Sequence, residues 1–340
     1  MRTPGGGETE RHVLVDGGNL VHRAFYSHVV AREKSGRPAF TTSGGVETGT
    51  VFGSMAMLGS WLHDMGKISR ISVFFDGRPS RRLSVDPSYK SNRVASVGPQ
   101  SPHAPVNVCG NSCAHPVEVL STILSRLGCD VYRDSNEEAD DLIASFCASR
   151  PESVRIIVSD DKDFFQLLTD PRVIIYRPGS GEKRFFDSSA AERHWAGLQG
   201  GKHPPIPSAH VRMFKSLCGD PSDGIHGVER LRKKVAAALC HHSSVESLLN
   251  GGLPGLSDSE KQKVVESAKR IETNFDIVGL KSDLDISKHI THGHPDFEAA
   301  MGALEALEIF SVDISGFRKI FSDPKPDPFL VQIPDWLSNI

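Results

Sequence analysis

The sequence has no apolar run that approaches the length of a membrane span. A helix needs about 20 consecutive apolar residues to cross a bilayer, so there is no candidate for a transmembrane helix. The opening "MRTPGGGETERH" lacks the hydrophobic core of a signal peptide, and residues 1–11 read as a disordered tail. Cysteine is sparse, with six residues scattered at 109, 113, 129, 147, 218 and 240. That usage speaks against a disulfide framework and for reduced thiols in an intracellular, cytosol-like compartment. Cys109, Cys113 and His115 in "CGNSCAH" would make half a zinc site, but no second pair stands at finger-like spacing. Neither sign of charge is in large excess, since 39 Lys and Arg face 42 Asp and Glu for a net charge of −3. A nucleic-acid or acidic partner must then be met by a local patch rather than by the whole surface.

What is present is an alternation of two periodicities. "HVLVD" (12–16), "ISVFFD" (71–76), "DVYR" (130–133), "RIIVSD" (155–160) and "VIIYRP" (173–178) are β-branched or aromatic and too short for helices. Amphipathic stretches at 46–64, 116–127 and 138–149 lie between them. This order predicts an α/β fold with a doubly wound, mostly parallel sheet. Past about residue 190 the strand signal fades, and Gly- and Pro-rich breaks at 197–207 and 250–257 separate helical patterns. The expected organisation is an α/β domain over 12–195 and a smaller helical domain over 196–340. A chain of 340 residues can bury the core that either requires. The segment 91–116 is long, rich in Pro, Gly and Ser, and poor in charge, which in a compact domain marks a functional or disordered loop.

The stretch "EEADDLIASF" (137–146) crowds Glu137, Glu138, Asp140 and Asp141 together. One reading is ordinary: acids favour the exposed N–H groups at a helix start. The other comes from the strands. Asp16 ends the first, Asp76 ends the second, and Asp160, Asp161 and Asp163 follow the fourth. The carboxyl ends of parallel strands share one edge, where ligands bind, and the helix after the third strand opens there too. So many carboxylates cannot all ionise together without cations. Oxygen donors without paired His or Cys select hard ions, Mg²⁺ or Mn²⁺ before Zn²⁺, and two such ions about 4 Å apart are the arrangement used for phosphodiester hydrolysis.

"VLVDGGNLVHRAFYS", "VFFDGRPSRRLSVDPSYKSNR", "EEADDLIASF", "IIVSDDKDFFQLL" and "LCGDPSDGIHGV" resemble, in order and at compatible spacing, the signature blocks of the 5′ nuclease superfamily. That superfamily comprises flap endonucleases, phage 5′-exonucleases and the 5′-nuclease domain of bacterial DNA polymerase I. The resemblance covers about residues 12–236 and implies a PIN-like fold with a helix–hairpin–helix-type element (H3TH) in the helical part. It assigns Asp16, Asp76, Glu138 and Asp140 to a first metal ion, and Asp141, Asp161, Asp163, Asp220 and Asp223 to a second ion and its water shell. Lys90 and Arg93 of "YKSNR" match the element that reaches the scissile phosphate. Arg23, Arg81 and Arg82 become candidate DNA contacts, while Arg78, Glu137 and Asp160 read as solvated or helix-start charges. Tyr26 and Tyr89 are placed to stack on a base, with Phe25 in the core. The loop 91–116 falls where the family carries an arch over a single-stranded 5′ end, although its prolines and scarcity of cations depart from that pattern.

In "GVERLRKKVA" (227–236), Arg230 and Arg232 stand where the family has glycines, which implies a reshaped hairpin. Arg230, Arg232, Lys233 and Lys234 would then hold duplex phosphates by side-chain charge. The expected protein is a monomeric nuclease with two Mg²⁺ (or Mn²⁺) ions, acting in replication or repair on DNA with 5′ flaps, nicks or free 5′ ends. A PIN-type ribonuclease and a non-catalytic DNA-structure binder remain the alternatives. The first generally lacks "GDPSDGIHGV" and "YKSNR", and the second would have lost carboxylates that are all present here.

Overall fold

A computed structural model describes residues 10–91, 106–109, 112–114, 116–179, 184–198, 205–231, 233–251, 253 and 256–321. Its strands are β1 (Arg11–Asp16), β2 (Arg70–Phe75), β3 (Val106–Cys109), β4 (Ser112–Ala114), β5 (Asp130–Arg133), β6 (Val154–Val158), β7 (Val173–Tyr176), β8 (Phe185–Phe186), β9 (Gly219–Asp220), β10 (Ile225–His226) and β11 (Ile290–Thr291). Seven of them form one sheet in the order β11-β5-β2-β1-β6-β7-β8. The five inner strands are parallel, and β11 and β8 close the two edges antiparallel. This is the doubly wound, mostly parallel sheet that the sequence predicts, and all five predicted strands are in it.

Continuous apolar runs make such strands because both faces of a parallel sheet are covered. Val13, Val15, Val73, Phe75, Ile156 and Val158 face one way, packed against the helices Gly49–Asp64 and Pro116–Arg126. Leu14, Phe74, Ile157 and Ile175 face the other, against the helix Ala139–Ser149 and the 3₁₀ turn Asp163–Thr169. Burial of one Leu, Phe or Ile side chain contributes roughly 1.5–3 kcal/mol, so these two layers dominate the stability.

The expected boundary at 195/196 does not separate two cores. Val211, Phe214 and Leu217 of the helix Val211–Cys218, with Leu239 and Ile271 beyond it, share one buried cluster with Leu14 and Phe74 of the sheet. Residues 290–321 then return to the opposite layer. β11 pairs with β5, and Ala300, Leu304 and Phe317 join Val13 and Val73. The strand signal did fade as expected, because β9, β10 and β11 are two-residue strands, too short for a period of their own. No helix among the described residues is long and apolar enough to cross a membrane. Within the loop 91–116 the described strands β3 and β4 pair as a hairpin. Residues 92–105, His115 and the side chains of Cys109 and Cys113 lie outside the described residues, as do the segment 1–9 and the C-terminal "KPDPFLVQIPDWLSNI".

Candidate metal centre

Asp16 closes β1 and caps the next helix, Gly17–Phe25, by accepting from Asn19 N at 2.9 Å. Its other oxygen accepts from Ser159 Oγ at 2.7 Å. The same Ser159 hydroxyl accepts from Asp161 N at 3.0 Å, so one small side chain ties the ends of β1 and β6 together. Asp76 follows β2, and its Oδ1 accepts from Ala139 N at 2.9 Å. It thereby holds the start of Ala139–Ser149, the helix that carries Asp140 and Asp141 and has Glu138 at its N-cap. The approach of Asp16 and Asp76 leaves no room for a side chain between them, since a Cβ on Gly18 would lie 2.6 Å from Asp76 Oδ2.

Two groups of carboxylates result. Ligand oxygens of Glu138, Asp140 and Asp141 lie within 4.8 Å of one another, and so do those of Asp163, Asp220 and Asp223. Asp161 is attached to the second group through Asp163 N, which donates to its Oδ1 at 2.9 Å. An all-oxygen donor set of this density fits hard divalent cations. The structure therefore brings the metal-ligand candidates Asp16, Asp76, Glu138, Asp140, Asp141, Asp161, Asp163, Asp220 and Asp223 to the carboxyl edge of the sheet.

Like charges this close require compensation, and the protein carries its own. Arg82 is buried and donates both Nη atoms to Asp141, at 2.9 and 3.1 Å. It also bonds Glu138 and approaches Asp140 at 3.3 Å. This corrects its expected role. A guanidinium enclosed by three carboxylates is unavailable to DNA, and its fork geometry suits that enclosure. Arg81 is likewise engaged, donating to the carbonyls of Asp276 (2.8 Å) and Gly279 (3.0 Å) at the end of the helix Ala268–Val278. Those exposed helix-end carbonyls take the donors that were expected to face phosphate. Lys215, which the sequence reading missed, bonds Asp163 and lies 2.7 Å from Asp220. Its only sequence signal is a cation five positions before Asp220 in a helix whose neighbours are apolar.

Lys90 bonds the first group through its side chain and the segment that carries the second through its backbone. Its Nζ donates to Glu138 Oε1 at 2.6 Å, while its backbone N donates to Asp223 O at 2.9 Å. The second contact places Lys90 in the left-handed region, at φ 55°. Tyr89, its neighbour, is buried and so is not the stacking surface expected of it, whereas Tyr26 is 51% exposed and stands 4.5 Å from the His22 ring. Asp160 is not the solvated neighbour expected either, because it bonds Arg23. Arg93 lies outside the described residues.

At the hairpin, β9 and β10 meet so closely that a Cβ on Gly227 would lie 2.3 Å from the Cys218 carbonyl carbon. Arg230 takes the left-handed conformation itself, at φ 57°, with its side chain 83% exposed. That conformation costs a residue other than glycine roughly 1–2 kcal/mol. Arg232 lies outside the described residues. Lys233 and Lys234 open the helix Lys233–Leu239, with their side chains outside the described residues.

Burial, and then the facing Asp76, pushes the Asp16 carboxyl up to about 7. Burial, opposed by Lys215, pushes Asp163 up to about 7. Asp140 goes the other way, because Arg82 and Lys90 outweigh its burial and hold it below the usual carboxylate range. The raised pair has a consequence for the metal-free protein. Both acids hold protons in the folded state at a pH where the unfolded chain, with its value of 3.8, has released them. Their contribution is therefore most favourable below pH 4 and is lost as pH rises through 7. Thermal melts with a chelator should show a lower midpoint at pH 8 than at pH 5, and a higher midpoint at pH 8 would contradict the burial argument.

A mostly parallel sheet whose carboxyl edge gathers these acids is the framework of the 5′ nuclease superfamily. The chain belongs to its 5′-3′ exonuclease family: residues 11–196 match the family described as 5′-3′ exonuclease, N-terminal resolvase-like domain. It is similar to DNA polymerase I of Mycobacterium tuberculosis, at 30% identity over 243 residues that cover 70% of this chain and 24% of the polymerase. It is also similar to a 5′-3′ exonuclease of Streptomyces coelicolor, at 28% identity over 68% of this chain and 75% of that protein. The chain thus spans about a quarter of the polymerase relatives that it matches. Among solved structures, T5 5′-exonuclease with bound zinc shares the fold, at TM-score 0.55 and 17% identity over 92% of this chain and 98% of that one.

Proposed function

We propose that this chain is a metal-dependent 5′ nuclease that hydrolyses phosphodiesters in DNA bearing 5′ flaps, nicks or free 5′ ends. The observation that carries the reading is the pair of carboxylate groups at the sheet edge, with the Lys90 side chain on Glu138 and its backbone N–H on the Asp223 carbonyl. Asp16, Asp76, Glu138, Asp140 and Asp141 would hold one Mg²⁺ or Mn²⁺, and Asp161, Asp163, Asp220 and Asp223 the other; Asp141 leaves the second set, to which the resemblance assigned it, because its oxygens lie with those of Glu138 and Asp140. Ions so held supply Lewis acidity toward the phosphate and make water a better nucleophile at neutral pH.

The protein's own part is placement. Asp76 fixes the helix that presents the first group, and Ser159 fixes Asp16 against Asp161. Lys90 brings positive charge to the phosphate where negative charge develops, with Arg93 beside it in sequence. Arg230, Arg232, Lys233 and Lys234 are the side chains that we assign to the downstream duplex. A place in DNA replication or repair and a monomeric state accord with this activity. The DNA and metal ions in a solved complex of the phage T5 flap endonuclease support the substrate class.

The test is cleavage of end-labelled flap, nicked, hairpin and single-stranded DNA in Mg²⁺, with and without chelator. Cleavage of RNA alone would transfer the chain to the PIN-type ribonucleases, and binding without cleavage would make it a structure-binding protein. Lys90→Ala should lower the single-turnover rate by about 10²–10³-fold with little change in affinity, because its charge is used most in the transition state. If affinity falls while the rate holds, Lys90 is an ordinary phosphate contact.

A further inference from the structure

Arg23 and Asp160 form a pair that the hydrolytic machinery does not use. Arg23 stands in the last turn of Gly17–Phe25, the helix that Asp16 caps, and Asp160 stands between the end of β6 and Asp161. The Arg23 guanidinium donates to Asp160 Oδ2 through Nη1. Behind Asp160, Arg177 donates from Nη2 to its backbone carbonyl at 3.2 Å, has Nε 3.8 Å from Oδ1, and bonds His194 at 2.7 Å through Nη1. Asp160 is therefore anchored from the inside and offers its outer oxygen to Arg23.

The pair is incompletely matched from the side of Arg23. Its Nε is buried and has no hydrogen-bond partner among the described residues, while the side chain as a whole is 33% exposed. A guanidinium presents a planar fork that suits two oxygens of one carboxylate or phosphate. Here one oxygen is engaged and a buried Nε is left over, as it also is at Arg81, Arg155 and Arg177 among the described residues. Asp160 lies next to Asp161, so the fork is held at the rim of the acid edge where a strand entering the metal centre would pass.

On the nuclease reading above, we propose that Asp160 is a built-in substitute for a DNA phosphate, which holds the Arg23 fork in the free protein and yields it to the backbone of the incoming strand. The exchange has two consequences. DNA that does not reach the rim gains nothing from Arg23, whose charge is already satisfied. DNA that does reach it displaces a carboxylate, and the freed Asp160 takes up a solution cation. That uptake cancels about one of the counterions that the DNA releases, so the salt dependence of binding is shallower than the number of phosphate contacts implies.

The test is a double-mutant cycle on equilibrium binding of a 5′-flap DNA, read by fluorescence anisotropy, with Ca²⁺ in place of Mg²⁺ to withhold cleavage. Asp160→Asn should tighten binding about three- to ten-fold and steepen the log–log salt slope by about 0.9. Arg23→Ala should weaken binding, and Asp160→Asn should have no effect in the Arg23→Ala background. Asparagine keeps the backbone carbonyl that Arg177 uses. Should it nonetheless lower the melting temperature, Asp160→Ser provides the same cycle without an amide in the pocket. Equal tightening in both backgrounds would show only general repulsion by Asp160, and unchanged or weaker binding on its removal would show a purely structural pair; either overturns the proposal. A wild-type protein that binds no DNA form overturns instead the nuclease reading on which it rests.

Discussion

Asp76→Asn is expected to abolish cleavage in Mg²⁺ while DNA binding stays within about two-fold of the parent. The asparagine amide keeps the size of the side chain, and its oxygen still accepts from Ala139 N, so the helix start that presents Glu138 and Asp140 remains in place. What is lost is the charge facing Asp16. That charge is the second cause, after burial, of the raised Asp16 value. Asp16 should therefore ionise more readily in the variant, but alone. On the proposed two-metal reading, loss of one ligand would misplace the ions and leave the cations assigned to phosphate untouched, so rate and affinity would separate. Single-turnover cleavage and anisotropy on one flap substrate measure both, and substantial cleavage by the variant in Mg²⁺ would remove the two-metal reading.

Arg82→Ala is expected to destabilise the metal-free protein by about 3–5 kcal/mol, because removing one partner of a buried ion cluster leaves its charges uncompensated. Glu138, Asp140 and Asp141 all face this guanidinium, and its Nε also donates to Ile277 O at 2.9 Å. The loss therefore reaches the end of the helix Ala268–Val278 as well as the metal centre. For a chain of 340 residues the melting midpoint should fall by about 4–7 °C in chelator. Mg²⁺ should return part of it, since divalent ions supply charge to the same carboxylates and stabilise the state that binds them. Arg82→Lys should rescue little, because a single ammonium cannot present two parallel donors to Asp141 while reaching Glu138. Equal melting of variant and parent in chelator would show that the acids are compensated elsewhere.

Much of this site was legible before any coordinates. "VLVD" and "VFFD" are strands because apolar runs of that length serve a sheet covered on both faces, and each aspartate falls where its strand ends and polar groups emerge. A two-residue edge strand such as β11 is too short to carry a comparable signal and is ordered by its pairing with β5. The extent of the shared core was hidden for the same reason. The apolar face of Val211–Cys218 says that the helix packs, and not that it packs beneath Phe164 and Phe165.

The sequence by itself determined the strand order of charges and apolar residues, and with it the acid edge and the family, since these follow from local periodicity and from residues a few positions apart. Only the tertiary structure decided which cations are taken up by the protein's own carboxylates and carbonyls. "RPSRRLSV" reads as one basic run, yet Arg82 turns inward to carboxylates 56 to 59 positions away, and Lys215 reaches Asp163 across 52. A charge pattern fixes how many cations a segment carries but not which buried anions the fold will bring to them. That partner is chosen by the desolvation of the anions, which exists only once the layers have closed around them.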